Sequence, residues 1–357
     1  MEIVEYKCPG CSAPLVFDSA TQNMKCNSCQ NEFDVTAVKQ YNEAIQAAEQ
    51  ATSGWGTYNN SGWAAEEQHA LSGSVCQSCG GELITDANTV ATECPYCGNA
   101  AVIPQQVSNT LRPDYVIPFK LDKNAAKEAL KGFYKKKYLL PNCFKDENRI
   151  DKITGTYVPY WLFSCGTINF GTFDATRVQS WTSGNYQFTK TEHYLVTRNG
   201  NIDFELVPAD GSEKMDDTFM EAIEPFHYDE LTTFAVPYLS GYLADKYDVD
   251  AEALKPRVDD RIKKTIVSEL QSTVHGYATV APRNVNMNIT DGDIKYALFP
   301  VWILNTKYKD KKYTFMMNGQ TGKLVGSLPV DRRKAAIWFG SIFAGLGTVL
   351  SLISLLF

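Results

Sequence analysis

Cys8-Pro9-Gly10-Cys11 and Cys26-Asn27-Ser28-Cys29 are answered further along by Cys76-Gln77-Ser78-Cys79 and Cys94-Pro95-Tyr96-Cys97. Each cysteine of the second set stands 68 positions after its counterpart in the first. Both units read C-x2-C-x14-C-x2-C, and Leu15-Val16 aligns with Leu83-Ile84 as the start of a strand. A fixed internal period of this kind marks a tandem duplication. A Cys-x-x-Cys pair at a tight turn brings two sulfurs within reach of one ion, and two such turns complete a tetrahedral cage. The expectation is two small β zinc ribbons, with Cys8, Cys11, Cys26 and Cys29 on one ion and Cys76, Cys79, Cys94 and Cys97 on the other. Four cysteines leave no open coordination position, so the two Zn2+ ions are expected to be structural and not catalytic.

Each unit is only about 30 residues long, too small to bury an adequate core alone. Zinc is expected to supply the missing stability, on the order of 10–16 kcal/mol in domains of this size. Gly80 and Gly98 follow the second cysteine of each turn in the second ribbon, where a residue without a side chain eases the bend. Ser12 and Gln30 hold those places in the first ribbon, which predicts tighter or strained turns there. Two other chemistries share the spacing. Disulfides need an oxidising compartment, against which the terminal segment described below argues. Iron in a rubredoxin-like site uses similar thiolate geometry and stays open as the alternative ion. The two remaining cysteines, Cys143 and Cys165, stand apart from the repeats and read as buried free thiols.

The charge pattern bears on the partner. The 357-residue chain has a formal net charge of -7. Residues 1–110 carry three lysines, no arginine and twelve acidic residues, a net of -9. Two metallated thiolate centres add about -4 more. Such a surface repels phosphate backbones, so the ribbons are expected to dock proteins and not nucleic acid. The reverse charge gathers in 120–152, with ten basic and five acidic residues. That stretch reads as a solvated helix face; contact with anionic lipid headgroups or with the acidic ribbons is the sharper reading.

The expected organisation is a first ribbon over 1–35, a flexible and helical linker over 36–73, a second ribbon over 74–104, and an α+β domain with a largely antiparallel sheet over 110–330. Within the linker, 36–51 has a helical apolar face of Val38, Tyr41 and Ile45. Trp55 and Trp63 lie in its Gly/Ser/Asn-rich part, either as docking anchors or packed back on a ribbon. In the α+β domain, Asp122 is placed to cap a helix over 123–137, and a second helix is predicted over 250–274 through Leu254, Val258, Ile262, Ile266 and Leu270. Tyr157-Val158-Pro159-Tyr160-Trp161-Leu162-Phe163 echoes Leu298-Phe299-Pro300-Val301-Trp302-Ile303-Leu304, and both read as core strands. Asp291-Gly292 reads as a turn between strands.

Residues 337–357 are apolar or small, enough for about 31 Å of helix, and follow Asp331-Arg332-Arg333-Lys334. They predict one C-terminal transmembrane helix, with the N-terminal body on the cytoplasmic face of the cell membrane. Gly340/Ala344 and Ser341/Gly345 add an expectation of self-association through that helix. No catalytic constellation emerges. His69, His193, His227 and His275 fall in no metal or nucleophile motif, and Asn318-Gly319-Gln320-Thr321-Gly322-Lys323 reads as a hairpin turn in preference to a phosphate loop.

Tandem C-x2-C-x14-C-x2-C ribbons, Ile117-Pro118-Phe119-Lys120, Val158-Pro159-Tyr160-Trp161, Tyr296-Ala297-Leu298-Phe299-Pro300-Val301-Trp302, the 318–323 turn and the apolar terminus occur in that order. The set resembles the bacterial transcription-factor-IIB-type double zinc-ribbon, C-terminally membrane-anchored proteins of the YdjG type. The resemblance implies a non-enzymatic, tail-anchored adaptor that recruits a protein partner to the membrane in membrane-stress response. Its implied partners are the lipid bilayer and SPFH/flotillin-like or PspA-like membrane proteins. The competing expectation is a membrane-tethered nucleic-acid-binding protein of replication or transcription.

Overall fold

A computed structural model describes residues 6–10, 13–50, 54–58, 62–87, 89, 91, 93–100, 102–105, 110–135, 137–309 and 311–356, with the side chains of 44–50, 65, 104–105, 350 and 352–356 left aside. In chain order the strands are β1 (Leu15–Asp18), β2 (Asn23–Cys26), β3 (Glu32–Phe33), β4 (Leu71–Cys76), β5 (Glu82–Asp86), β6 (Val102–Gln105), β7 (Tyr115–Val116), β8 (Thr154–Ser183), β9 (Tyr186–Asp210), β10 (Thr232–Thr233), β11 (Leu243–Asp245), β12 (Thr279–Tyr308), β13 (Lys311–Asn318) and β14 (Leu324–Gly326). The helices are α1 (Val35–Gln50), α2 (Ala65–His69), α3 (Lys123–Lys135), α4 (Glu147–Ile150), α5 (Asp217–Ala222), α6 (Ala251–Ser272) and α7 (Arg332–Leu356). The chain divides into two compact units, one of 1–58, 162–209 and 251–294, the other of 59–161, 210–250 and 295–357. Each unit holds one cysteine repeat.

In the first unit, β1, β2 and β3 form an antiparallel sheet with Leu15 opposite Cys26 and Met24 opposite Phe33. Asp34 starts α1 by accepting the Thr36 N–H at 2.8 Å, satisfying one donor that the helix cannot. Val38 and Tyr41 are buried, and the Tyr41 ring meets Phe170 at 4.2 Å. The face predicted for α6 is the one that is buried: Leu254, Val258, Ile262, Ile266 and Leu270, with Pro256 inside the helix. Trp55 packs edge-on against Phe163 at 5.0 Å and its indole N–H donates to Asp259 at 2.7 Å. It anchors its segment to the main body of the unit and not to a ribbon.

In the second unit, neighbouring strands run β10-β7-β12-β8-β11-β5-β4-β6, with β13 beside β12 and β14 beside β13. The echoing segments lie on adjacent strands, and Tyr160 stacks on Phe299 at 4.4 Å. Strands buried on both faces explain why these segments are apolar almost throughout. Asp122 caps α3 as predicted, accepting from Ala125 N at 2.8 Å. Ala126, Leu130 and Tyr134 of α3 pack with Phe144, Trp302 and Phe315. Trp63 meets Phe234 edge-on at 5.7 Å and donates to Thr110 at 3.0 Å. The 318–323 segment is a hairpin turn: Asn318 N donates to Lys323 O at 2.9 Å, and Gly322 takes φ +78°.

Three expectations require correction. The fold is multidomain and mostly β, so the α+β assignment overstates its helix content. One reason is β8 and β9, whose paired ends over 177–191 are exposed and therefore lack the apolar alternation that identifies a strand. Asp291-Gly292 is no turn between strands: β12 runs straight through it, with Asp291 at φ +51° and Gly292 O accepting the Gly56 N–H at 2.9 Å. The third concerns the C-terminus. Among the described residues no helix is long and apolar enough to cross a membrane. α7 opens on Arg332, Arg333 and Lys334. The transmembrane helix over 337–357, and the single-pass cell-membrane placement built on it, are withdrawn on that finding.

Asp245, at the end of β11, gives a pH-dependent test of the second unit. It is 1% exposed, and burial pushes its carboxyl up to about 7, although the Ser212 hydroxyl donates to it at 2.6 Å. A carboxyl raised in the fold contributes stability below its unfolded value near 4 and loses it as pH rises through 7. Compared with Asp245→Asn, the wild type is expected to lose stability steadily as pH rises from roughly 4 to 7, measured by urea unfolding across that range.

Candidate metal centres

Both knuckles of the second ribbon have one backbone design. Cys76 N donates to Gly81 O at 2.9 Å and Cys76 O accepts from Gly80 N at 2.8 Å. Cys94 repeats this with Asn99 O and Gly98 N, both at 2.9 Å. The residue four positions after the first cysteine of each pair must therefore turn into the left-handed region, and Gly80 and Gly98 both sit at φ +70°. The first ribbon builds its Cys26 knuckle identically, with Gln30 N donating to Cys26 O at 2.9 Å, but Gln30 adopts φ +62° with a full side chain. The strain predicted from the missing glycine is present there. Cys11 and Ser12 lie outside the described residues.

The sulfur positions test whether a metal fits. In the second ribbon, Cys76, Cys79, Cys94 and Cys97 have sulfur atoms all within 4.8 Å of one another. Cys76 Sγ and Cys97 Sγ are 3.6 Å apart, and Cys79 Sγ and Cys94 Sγ 3.5 Å. A ZnS4 tetrahedron with bonds of about 2.3 Å sets its sulfurs about 3.8 Å apart. In the first ribbon, Cys8, Cys26 and Cys29 gather within the same limit, with Cys8 Sγ and Cys29 Sγ at 3.6 Å. Two cysteine clusters able to bind zinc are therefore present, and no histidine joins either among the described residues. Cys143 and Cys165 lie outside both. Cys165 is buried as expected, its thiol pushed up to about 11 by burial, whereas Cys143 is only half-buried.

Electrostatics split the second cluster. Burial pushes the Cys76 thiol up, but the N–H groups of Cys79 and Ser78 and the thiols of Cys97 and Cys79 outweigh it and bring it to about 7. Burial dominates at Cys94 and raises its thiol well beyond the usual range. A bound divalent cation removes this asymmetry, because ligand sulfurs are deprotonated outright.

The surroundings hold residues that no spacing rule points to. The Asn305 side chain of β12 donates to Tyr96 O at 2.9 Å and also to Pro95 O, gripping the second knuckle from 209 positions away. Its own oxygen accepts from the Thr314 hydroxyl at 2.7 Å. In the first ribbon Asn42 of α1 does similar work, accepting the Lys7 N–H at 2.9 Å beside Cys8. Part of the basic 120–152 stretch is answered by carboxylates. Lys152 pairs with Glu93 of the second ribbon at 2.8 Å, Lys127 with Asp151 at 2.7 Å, and Lys131 with Glu128 at 3.1 Å.

A side chain added at Gly80 or Gly98 would meet nothing within 4 Å, so substitution there isolates the backbone cost. Gly98→Ala is expected to destabilise the zinc-loaded protein by about 1 kcal/mol, and Gln30→Gly to stabilise it by about 0.5–1 kcal/mol. Urea unfolding in the presence of zinc measures both. An unchanged midpoint for Gly98→Ala contradicts the knuckle geometry.

No protein-family model matches the chain, and no solved structure matches it. The uncharacterized protein YdjG of Bacillus subtilis strain 168 is 37% identical over 354 residues, spanning 99% of this chain and 98% of that protein. With that likeness running from end to end and both cysteine clusters assembled in space, the chain belongs to the YdjG family.

Proposed function

We propose that this protein is a non-enzymatic adaptor in which two structural zinc ions hold ribbons of the transcription-factor-IIB type as docking surfaces for a protein partner. The observation that carries this reading is the all-sulfur cluster of the second ribbon, Cys76, Cys79, Cys94 and Cys97. A closed thiolate shell offers no position for substrate or activated water, so its contribution is to shape and stability. Cys79 and Cys97 are exposed, which places that knuckle at the protein surface, where a partner can reach it. The net charge of -9 over 1–110 favours a protein partner over nucleic acid, and the pairing of Lys152 with Glu93 draws part of the basic stretch into the ribbon itself.

Metal analysis of the purified chain is expected to return two zinc per polypeptide, falling to about one in Cys97→Ser. Chemical cross-linking in cells, read by mass spectrometry, is expected to lose one or more partner proteins in the same variant. Iron in place of zinc overturns the metal assignment. A folded Cys97→Ser chain that keeps every wild-type partner overturns the recruiting role of the second ribbon.

A further inference from the structure

Beside the second knuckle lies a cavity of about 490 Å³ whose lining includes Cys94, Cys97, Arg149, Lys152, Lys307 and Lys312. A second cavity of about 410 Å³, reaching Lys214 and Asp216, shares Ile303, Asn305 and Lys312 as common lining. Five cations face the pair of cavities against two carboxylates, Glu93 and Asp216. Lys152 is taken by Glu93 and Lys214 by Asp248. No carboxylate pairs with Arg149 or Lys312 among the described residues. Arg149 instead donates to the Lys307 carbonyl at 3.4 Å, which holds its guanidinium at the cavity.

We propose that these two cavities, which share part of their lining, bind an acidic peptide segment of the partner, with its carboxylates on Arg149 and Lys312. This rests on the adaptor reading above and names the chemistry that the adaptor recognises. Arg149 offers the planar fork that matches a carboxylate, and Lys312, in the lining common to both cavities, offers a point charge. A nucleic-acid strand is the poorer occupant. Its regularly spaced phosphates cannot avoid Glu93, Asp216 and the metallated knuckle, which carries a charge of about -2. A peptide can place its charges selectively.

The test uses the zinc-loaded full chain and fluorescence anisotropy with fluorescein-labelled hexaglutamate, and a labelled single-stranded DNA 12-mer in parallel. Hexaglutamate is expected to bind, to weaken as salt rises, and to lose at least tenfold in affinity in Arg149→Glu and in Lys312→Glu. Lys123→Glu, on the exposed side of α3, is expected to leave binding unchanged. Lys312→Gln, which removes charge without reversing it, is expected to lose a smaller fraction and guards against misfolding of the reversed variants. Zinc content is measured on every sample. Two zinc per chain with no hexaglutamate binding, or with equal binding by all variants, overturns the peptide site and leaves the adaptor reading standing. Absence of zinc from the wild type overturns the adaptor reading instead. DNA binding that is tighter than hexaglutamate binding and lost in Arg149→Glu overturns the peptide assignment in favour of nucleic acid.

Discussion

Sulfur atoms held 3.5–3.6 Å apart set the constraint on which both ribbons depend. As thiolates, two such neighbours repel by about 4–5 kcal/mol at an effective dielectric of 20. As thiols they are weak donors packed where burial already penalises ionisation, as at Cys94. A divalent cation bound by these sulfurs would convert the mutual repulsion into attraction. The knuckle turns, with their left-handed fourth residue, hold the sulfurs close enough for that conversion.

The ribbons are not free-standing beads. Cys76 ends β4, which pairs with both β5 and β6, and β5 pairs with β11 through Ala244 opposite Ile84. β11 in turn runs parallel to β8. Backbone hydrogen bonds therefore lead from the second metal centre into the central strands of its unit, and Asn305 adds a side-chain tie from β12. The first ribbon is tied within its own unit through Asn42 and Tyr41 of α1. Metal binding to a fold connected in this way stabilises more than the thirty residues that supply the ligands.

Much of this was legible in the chain because the signals are local. The 68-residue period revealed the cysteine turns, the 3.6-residue period revealed α3 and α6, and the doubly buried segments around Trp161 and Trp302 stood out as unbroken apolar runs. What escaped depends on long-range or mixed signals. Asn305 is unremarkable until folding carries it to Tyr96. The Asp291-Gly292 pair has turn chemistry, yet the Gly54–Gly56 backbone bonds alongside β12 and the strand continues. Apolar content alone suggested a membrane helix at the C-terminus, where α7 opens on charged residues and no helix among the described residues is long and apolar enough to cross a membrane. Composition could not show that β8 and β9 extend well past their buried portions.

Zinc K-edge X-ray absorption on the purified full chain tests the central claim most directly. Two closed thiolate centres predict a single shell of four sulfurs at about 2.3 Å with no nitrogen or oxygen ligand. A fitted shell containing light atoms at about 2.0–2.1 Å would contradict the closed, structural assignment on which the adaptor reading stands.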